Sequence, residues 1–432
     1  MDKTIFTNLF AAFDREAVAK YRPIRESARK RLQALQLPTA RLEDWRFTNI
    51  APLFEAKFVL PSKVVENQDK SRYHHMPLPV DDRNLPPLAT PSAARWVFDN
   101  GRFDSWQATA DNISAGEEWA PLHETIGNRP VPRSLGRLAS FDENVFTALN
   151  TSFLNDGVYY VIPDGVVLAH PIEIVFFSRH ADDPIVTHPR ILIDVGKNAQ
   201  VTVVERYVGE GRYFTNAVTE ISVGEGAVVN HVKIQDESPT AYHIANTSVV
   251  MAAKSNFTTH YLSLGGALVR NEVRVRFDGE HAEATVNGLY LANGKQHIDN
   301  FTVIDHAQPN CASHELYKGI LDGKSHGVFN GKIFVRKDAQ KTDAKQTNKV
   351  LLLSDDATIN TKPQLEIFAD DVKCTHGATV GQLDPVQLFY LQSRGIPVEA
   401  ARRLLTFAFA NDIVNRLKIE SLREELESRI VR

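Results

Sequence analysis

The stretch DGKSHGVFNGKIFVRKDAQKT, Asp322–Thr342, reads as a turn, a strand and a second turn. Phe329, Gly331, Ile333 and Val335 fall at every second position, the period of a strand with one face buried. The flanking DGKSH and DAQKT clusters are built from turn-forming residues. Working outward, DDATI begins at Asp355 and DDVKC at Asp370, so the cluster starts 322, 338, 355 and 370 lie 16, 17 and 15 residues apart. In the other direction DGEHA begins at Asp278, GEGAV at Gly224 and GKNAQ at Gly196, the last two separated by 28. Val273, Val275 and Phe277, with Arg274 and Arg276 between them, repeat the alternation just before one of these clusters.

A spacing near 15 that sometimes doubles fits one strand plus one turn per unit, with two units per coil. That is the weak self-similarity of a β-solenoid. An antiparallel sandwich is the alternative, but hairpin dipeptides are few (Asn293-Gly294 and Asn330-Gly331). The block also runs for roughly 225 residues without a helix-period segment. The expectation is a mainly β chain with a β-helix core over 157–384.

The flanks read differently. Residues 1–60 are expected to be helical: Ile24, Ala28, Leu32 and Leu35 recur at helical spacing in PIRESARKRLQALQL, and Pro38 stops the run. Residues 61–94 are rich in proline and charge and read as a linker, and 95–156 as a mixed region leading into the solenoid. From 385 to 432 the period is helical again. PVQLFYLQSRG stops at Gly395, and the next helix starts at Pro397 with Ala401, Leu404, Leu405 and Ala408 on one face. Ser421 with Glu424 forms a capping-box pattern for a last helix carrying Leu422, Leu426 and Ile430. Such end segments either cover open strand edges or dock a partner.

Composition narrows the function. The chain has 432 residues, 43% hydrophobic and 24% charged, with 53 acidic against 49 basic residues and a formal net charge of −4. No whole-chain field draws it to nucleic acid or to anionic lipid. The N-terminal stretch MDKTIFTNLFAAFDREAVAK interrupts its apolar residues with charges, unlike a secretory leader, and no apolar run approaches a membrane span. Two cysteines, Cys311 and Cys374, exclude a disulfide framework and point to a reducing cytoplasm.

Three candidate chemistries can be weighed. GILDGKSHG from Gly319 resembles a phosphate loop, but only Ile320, Leu321 and Asp322 separate Gly319 from Gly323 where four residues are needed, so it reads as a solenoid turn and no nucleotide is expected on this chain. A polysaccharide-active hydrolase or lyase would need paired carboxylates. Asp355-Asp356 and Asp370-Asp371 are available, near His326-Gly327 and His376-Gly377, but both pairs fall where turns are expected. Finally, Cys374 and His376 stand two apart on an expected strand, hence on one side of it, with Cβ atoms about 7 Å apart. A buried thiol beside a hydrogen-bonded histidine and a metal site both remain open. Two ligands do not complete a tetrahedral sphere, so a metal would need donors from elsewhere, most simply a second chain.

Several stretches resemble the SufB/SufD family of iron–sulfur cluster assembly proteins, on its SufD side. LPTARLEDWRFTNI (Leu37–Ile50) is similar to that family's N-terminal motif, with Arg46 and Phe47 standing where lysine and tyrosine are more usual. ALNTSFLNDGVYYVIPDGVVLAHPIEI (148–174), HGATVGQLD (376–384) and FYLQSRGIPVEAARRLLTFAFA (389–410) match it further along. The SufB paralogue is longer and richer in cysteine. The resemblance implies a right-handed parallel β-helix flanked by helical segments, acting as a non-catalytic scaffold with SufB and two copies of the ATPase SufC. SufC would dock on the C-terminal helices and SufB on the last coils. His376, with Cys374 beside it, would help hold a transient iron–sulfur cluster shared with SufB, while Cys311 reads as a small buried residue. Alone, the chain is expected to self-pair through the same edge into an isologous dimer.

Overall fold

A strand with one buried face must find neighbours for its ladder and a cover for its apolar side, and a solenoid supplies both from the same chain. The computed structural model describes residues 3–15, 17–61, 85–87, 94–104, 108–109, 118–123, 131–132, 134–179 and 183–431. The proline-rich linker expected over 61–94 lies almost wholly outside these residues.

The chain alternates between two parallel sheets. The front sheet stacks Ala94–Asp99, Ile172–Arg179, Gln200–Glu210, Val228–Asp236, Asn256–Ser263, Glu283–Ala292, Ala312–Leu321, Asp343–Leu352 and Lys373–Gly381. The back sheet stacks Val158–Ile162, Arg190–Val195, Tyr213–Val223, Tyr242–Met251, Leu268–Phe277, His297–His306, His326–Val335 and Thr358–Ile367. About eight turns result. The parallel β-solenoid and the terminal helices are as expected from the sequence. Register shows the coil length directly: Val228 pairs with Asn256, 28 residues on, and Asp343 with Lys373, 30 residues on.

One corner explains the recurring turn clusters. Asn198, Gly226, Lys254, His281, Asn310 and Lys341 all hold positive φ, between 54° and 69°. Along this corner an N–H reaches a carbonyl of the next coil, as in Asn198 N to Glu225 O (2.8 Å), Gly226 N to Ala253 O (2.9 Å) and Lys254 N to Glu280 O (2.8 Å). The left-handed conformation costs a non-glycine residue about 1–2 kcal/mol, and glycine gives back roughly 0.5–1 kcal/mol of that through its looser unfolded chain. Lys254→Gly is therefore expected to raise stability by about 0.5–1 kcal/mol, read from the denaturant midpoint.

The space between the sheets holds the main core, including Val201, Val229, Phe257, Ile221, Val249, Val275, Ile304 and Ile333. Each sheet's outer face then needs a cover. On the back sheet, Val186, Phe214, Tyr242, Ile244 and Leu268 are covered by the N-terminal segment and by the helix Val145–Ser152, through Phe6, Leu53, Phe58, Phe146 and Leu149. On the front sheet, Val232, Ile234, Leu262, Leu289 and Ile320 pack against Ala410, Ile413, Val414, Leu417, Leu422 and Leu426 of the C-terminal helices. Lys318 fastens this layer by donating to the Phe409 carbonyl at 2.9 Å and pairing with Asp412 at 2.9 Å. No helix among the described residues is long and apolar enough to cross a membrane.

Two local expectations are corrected. Helix Val398–Val414 buries Ala401, Ala410, Ile413 and Val414, whereas Leu404 and Ala408 face out, because the side of the helix that packs on the front sheet carries Phe409, Ala410, Ile413 and Val414. The last helix begins at Glu420, so Ser421 lies within its first turn and is not its N-cap.

The N-terminal motif spans several coils. Trp45 lies against Phe146, and the Arg270 guanidinium sits 3.9 Å from its ring centroid. Thr48 Oγ1 donates to Asp299 Oδ2 at 2.5 Å and lies 3.0 Å from His297 Nε2. His297 Nδ1 is 3.1 Å from His326 Nδ1, and Glu43 pairs with Lys362 on the outermost back-sheet strand. Leu37–Ile50 is thus a clasp laid across the outer face of the solenoid.

Candidate functional site

In parallel strands paired residues share a face, so register carries inward positions from coil to coil. One inward column runs Val201, Val229, Phe257, Ala284, Ser313, Ala344 and Cys374. The neighbouring column runs Val203, His231, Thr259, Val286, Glu315, Gln346 and His376. Cys374 and His376 therefore point the same way, toward the lumen, from the outermost front-sheet strand Lys373–Gly381. Among the described residues no further strand pairs on that edge. His376 is exposed and Cys374 half-buried because no coil of the described residues lies above them.

This end of the solenoid presents two free parallel ladders, Lys373–Gly381 and Thr358–Ile367, around an uncovered core. Ladder N–H and C=O groups left open in this way are a template for another chain. Among the described residues no three His, Cys, Asp or Glu side chains converge on one metal position. The Cys374 thiol is pushed up by burial, so it is predominantly protonated in the isolated chain.

Cys311 is elsewhere. It precedes Ala312, which stacks under Asp343 and then Lys373, so it sits two coils below the open end, about 10 Å down. It is buried, with its sulfur 3.3 Å from Gly279 O and 3.4 Å from Pro309 O. It cannot share a metal with Cys374.

The other candidates resolve as turns. Gly319 lies within the strand Ala312–Leu321, over Tyr290 of the coil below, where a Cβ would come within 2.3 Å of the ring, and Gly323 turns the corner at φ +65°. Asp356 lies 3.7 Å from Lys324, and Asp371 pairs with Lys341, both at exposed corners. His326 is on the outer face, 2.7 Å from Asn360 Oδ1.

Below the mouth the lumen is more polar than the alternation implied. Glu205 faces His231 Nε2 at 3.0 Å and also accepts from Tyr207. Burial opposes its ionisation, but the His231 hydrogen bond and the Lys233 charge outweigh it and hold the carboxyl down to about 2. Lys233 lies between Tyr207 and Tyr261, 4.7 and 5.8 Å from their ring centroids, and burial pulls it down to about 8. Glu315 has no such cation. Burial pushes it up to about 7, and Gln346 Nε2 donates to it at 2.7 Å. Glu315 and Gln346 were not singled out from the sequence. The signal was there: in DAKQTNKVLL the polar Gln346 and Asn348 share parity with Ala344 and Val350.

The family model for the SufBD core domain of the SUF iron–sulfur cluster assembly system matches residues 176–409, and that for the SufBD N-terminal region matches residues 3–174. The chain belongs to the SufBD family of iron–sulfur cluster assembly proteins. It is 33% identical over 419 residues to a SufBD family protein of Synechocystis, covering 93% of this chain and 88% of that one. It is 30% identical over 403 residues to the iron–sulfur cluster assembly protein SufD of Escherichia coli, covering 91% and 88%. A SufD of Bacillus subtilis is 30% identical over 299 residues, covering 67% of each chain. In this SufBD chain the core-domain match takes in the open end and most of the helix Val398–Val414, while the N-terminal match takes in the clasp.

Proposed function

We propose that the chain is a SufD-type scaffold subunit of a cytoplasmic cluster assembly complex. Its open solenoid end pairs with SufB, its C-terminal helices dock SufC, and His376 with Cys374 supplies part of the nascent cluster site. The observation that carries this reading is the placement of His376: exposed, inward-facing and on the edge strand that ends the front sheet among the described residues. Among the described residues no third His, Cys, Asp or Glu joins His376 and Cys374, so the further donors would come from a chain that continues the stack. A neutral imidazole is a borderline ligand suited to iron, and thiolates from the partner would complete the sphere.

The helical end supports the second contact. Val386, Phe389 and Tyr390 are 72%, 70% and 56% exposed, next to Val398 and Leu404, an apolar surface left uncovered by the chain's own fold. Nucleotide binding belongs to SufC in this reading. Closure of two SufC copies would act through helix Val398–Val414 on the front sheet and open the SufB junction to iron and sulfide. The scaffold itself is non-catalytic.

Two experiments test this. Co-expression with SufB and SufC is expected to yield a stable complex; recovery of the chain alone would contradict it. In the reconstituted complex, His376→Ala is expected to lower anaerobic cluster absorbance to the level of SufB and SufC without this chain. Undiminished absorbance would remove His376 from the site.

A further inference from the structure

We propose that Gln346 is a positioning residue for His376. Its side-chain carbonyl accepts one imidazole N–H and so fixes which ring nitrogen remains free for iron. The inference rests on His376 being the cluster ligand proposed above.

The argument begins with what lies directly beneath the last coil. The inward residues there are Ala344, Gln346, Asn348 and Val350, of which only two are polar. Asn348 is committed, since its Nδ2 donates to Thr361 Oγ1 at 3.0 Å and its Oδ1 accepts from the Tyr290 hydroxyl at 3.4 Å. Gln346 is committed on one side only. Its Nε2 donates to Glu315 Oε2 at 2.7 Å, which fixes the amide orientation, while its Oε1 is buried without a partner. A buried acceptor left unpaired is costly, and each such atom calls for an explanation.

Space for this amide is built in. Gly331 of the back sheet faces it, and a Cβ there would lie 2.3 Å from Gln346 Nε2. Gln346 therefore lies across the lumen as a floor, held by Glu315 below and by the missing side chain opposite. The next residue in its column is His376, one strand spacing above and free to turn at the open mouth.

A histidine that ligates a metal through one nitrogen carries its proton on the other, and that N–H is normally donated to a carbonyl or carboxylate. The Gln346 carbonyl is the unpaired buried acceptor one strand spacing beneath, and the imidazole would turn down to meet it. Cys374 stands over Ala344, whose side chain is apolar and whose backbone the thiol contacts, so the polar floor acts on the imidazole alone.

The test is nitrogen NMR of the full chain with labelled histidine, the His376 signal being assigned by its loss in His376→Gln. Wild type is expected to show one dominant neutral tautomer at His376. Gln346→Met is expected to return it to the mixed pattern of a solvent-exposed imidazole. Glu315→Gln should preserve the wild-type pattern, because its side-chain carbonyl still accepts from Gln346. Gly331→Ala, which displaces the Gln346 amide, should lose it. Identical tautomer ratios in wild type, Gln346→Met and Gly331→Ala would overturn the proposal. Cluster yield in the assembled complex is scored separately. If His376→Ala leaves that yield unchanged, the ligand reading falls, whereas the tautomer spectra judge Gln346 directly.

Discussion

Arg190→Met is expected to cost about 3–5 kcal/mol of stability, because it strands a carboxylate in the interior. Arg190 and Glu220 are both fully buried and form a close ion pair. Arg190 Nη1 also donates to Asn150 Oδ1 at 2.9 Å and Thr151 Oγ1 at 3.1 Å. Glu220 accepts from the backbone of Gly136, Leu138 and Ala139 at 3.0, 2.9 and 3.0 Å. Asn150 Nδ2 reaches the Pro189 and Asn216 carbonyls, both at 2.8 Å. One guanidinium thus joins the helix Val145–Ser152, the loop before it and the first complete coils. The measurement is the urea midpoint at constant m. Adding Glu220→Gln should recover part of the loss, since the neutral amide can still accept from that loop while no charge is left unpaired.

Glu315→Gln is expected to stabilise the protein at pH 8 by about 3 kcal/mol and to change little near pH 4. The sign follows from proton occupancy. In the native chain burial holds the carboxyl up to about 7, whereas in the unfolded chain it ionises near 4.3. Between those values the unfolded state gives up its proton first, so native stability falls as pH rises through this window and is level above it. Glutamine cannot ionise and keeps the hydrogen bond from Gln346. Urea midpoints of both proteins at pH 4.5, 6 and 8 should diverge upward. Parallel curves would show that Glu315 is already solvated.

The repeat was legible because its corners are conformationally demanding. Asn198, Gly226 and His281 mark left-handed positions inside clusters that could be read as turns, and the strands between them keep strict parity. Cys374 and His376 were legible as residues on one side of a strand for the same reason. That they stand at the solenoid's mouth was not, since only register shows that this strand is the last of the described residues to stack above Ala344 and Gln346. The polar lumen was hidden for another reason. Glu205, His231 and Glu315 occupy inward positions, where a lone polar residue looks like an interruption of pattern until its partner on the next coil is known. The outward turn of Leu404 had a similar cause, because helical spacing defines a stripe but not which side of the helix a sheet covers.

The clasp has a bearing on biosynthesis. Thr48 and Asp299 are separated by 251 residues, and Glu43 and Lys362 by 319. A ribosome delivers the first of each pair long before the second, at about 5–20 residues per second. The leading segment must therefore wait, undocked at its far end, until nearly the whole polypeptide has emerged. Its closing is a late event that reports completion of translation, and truncated products would carry an unclosed, protease-sensitive leader.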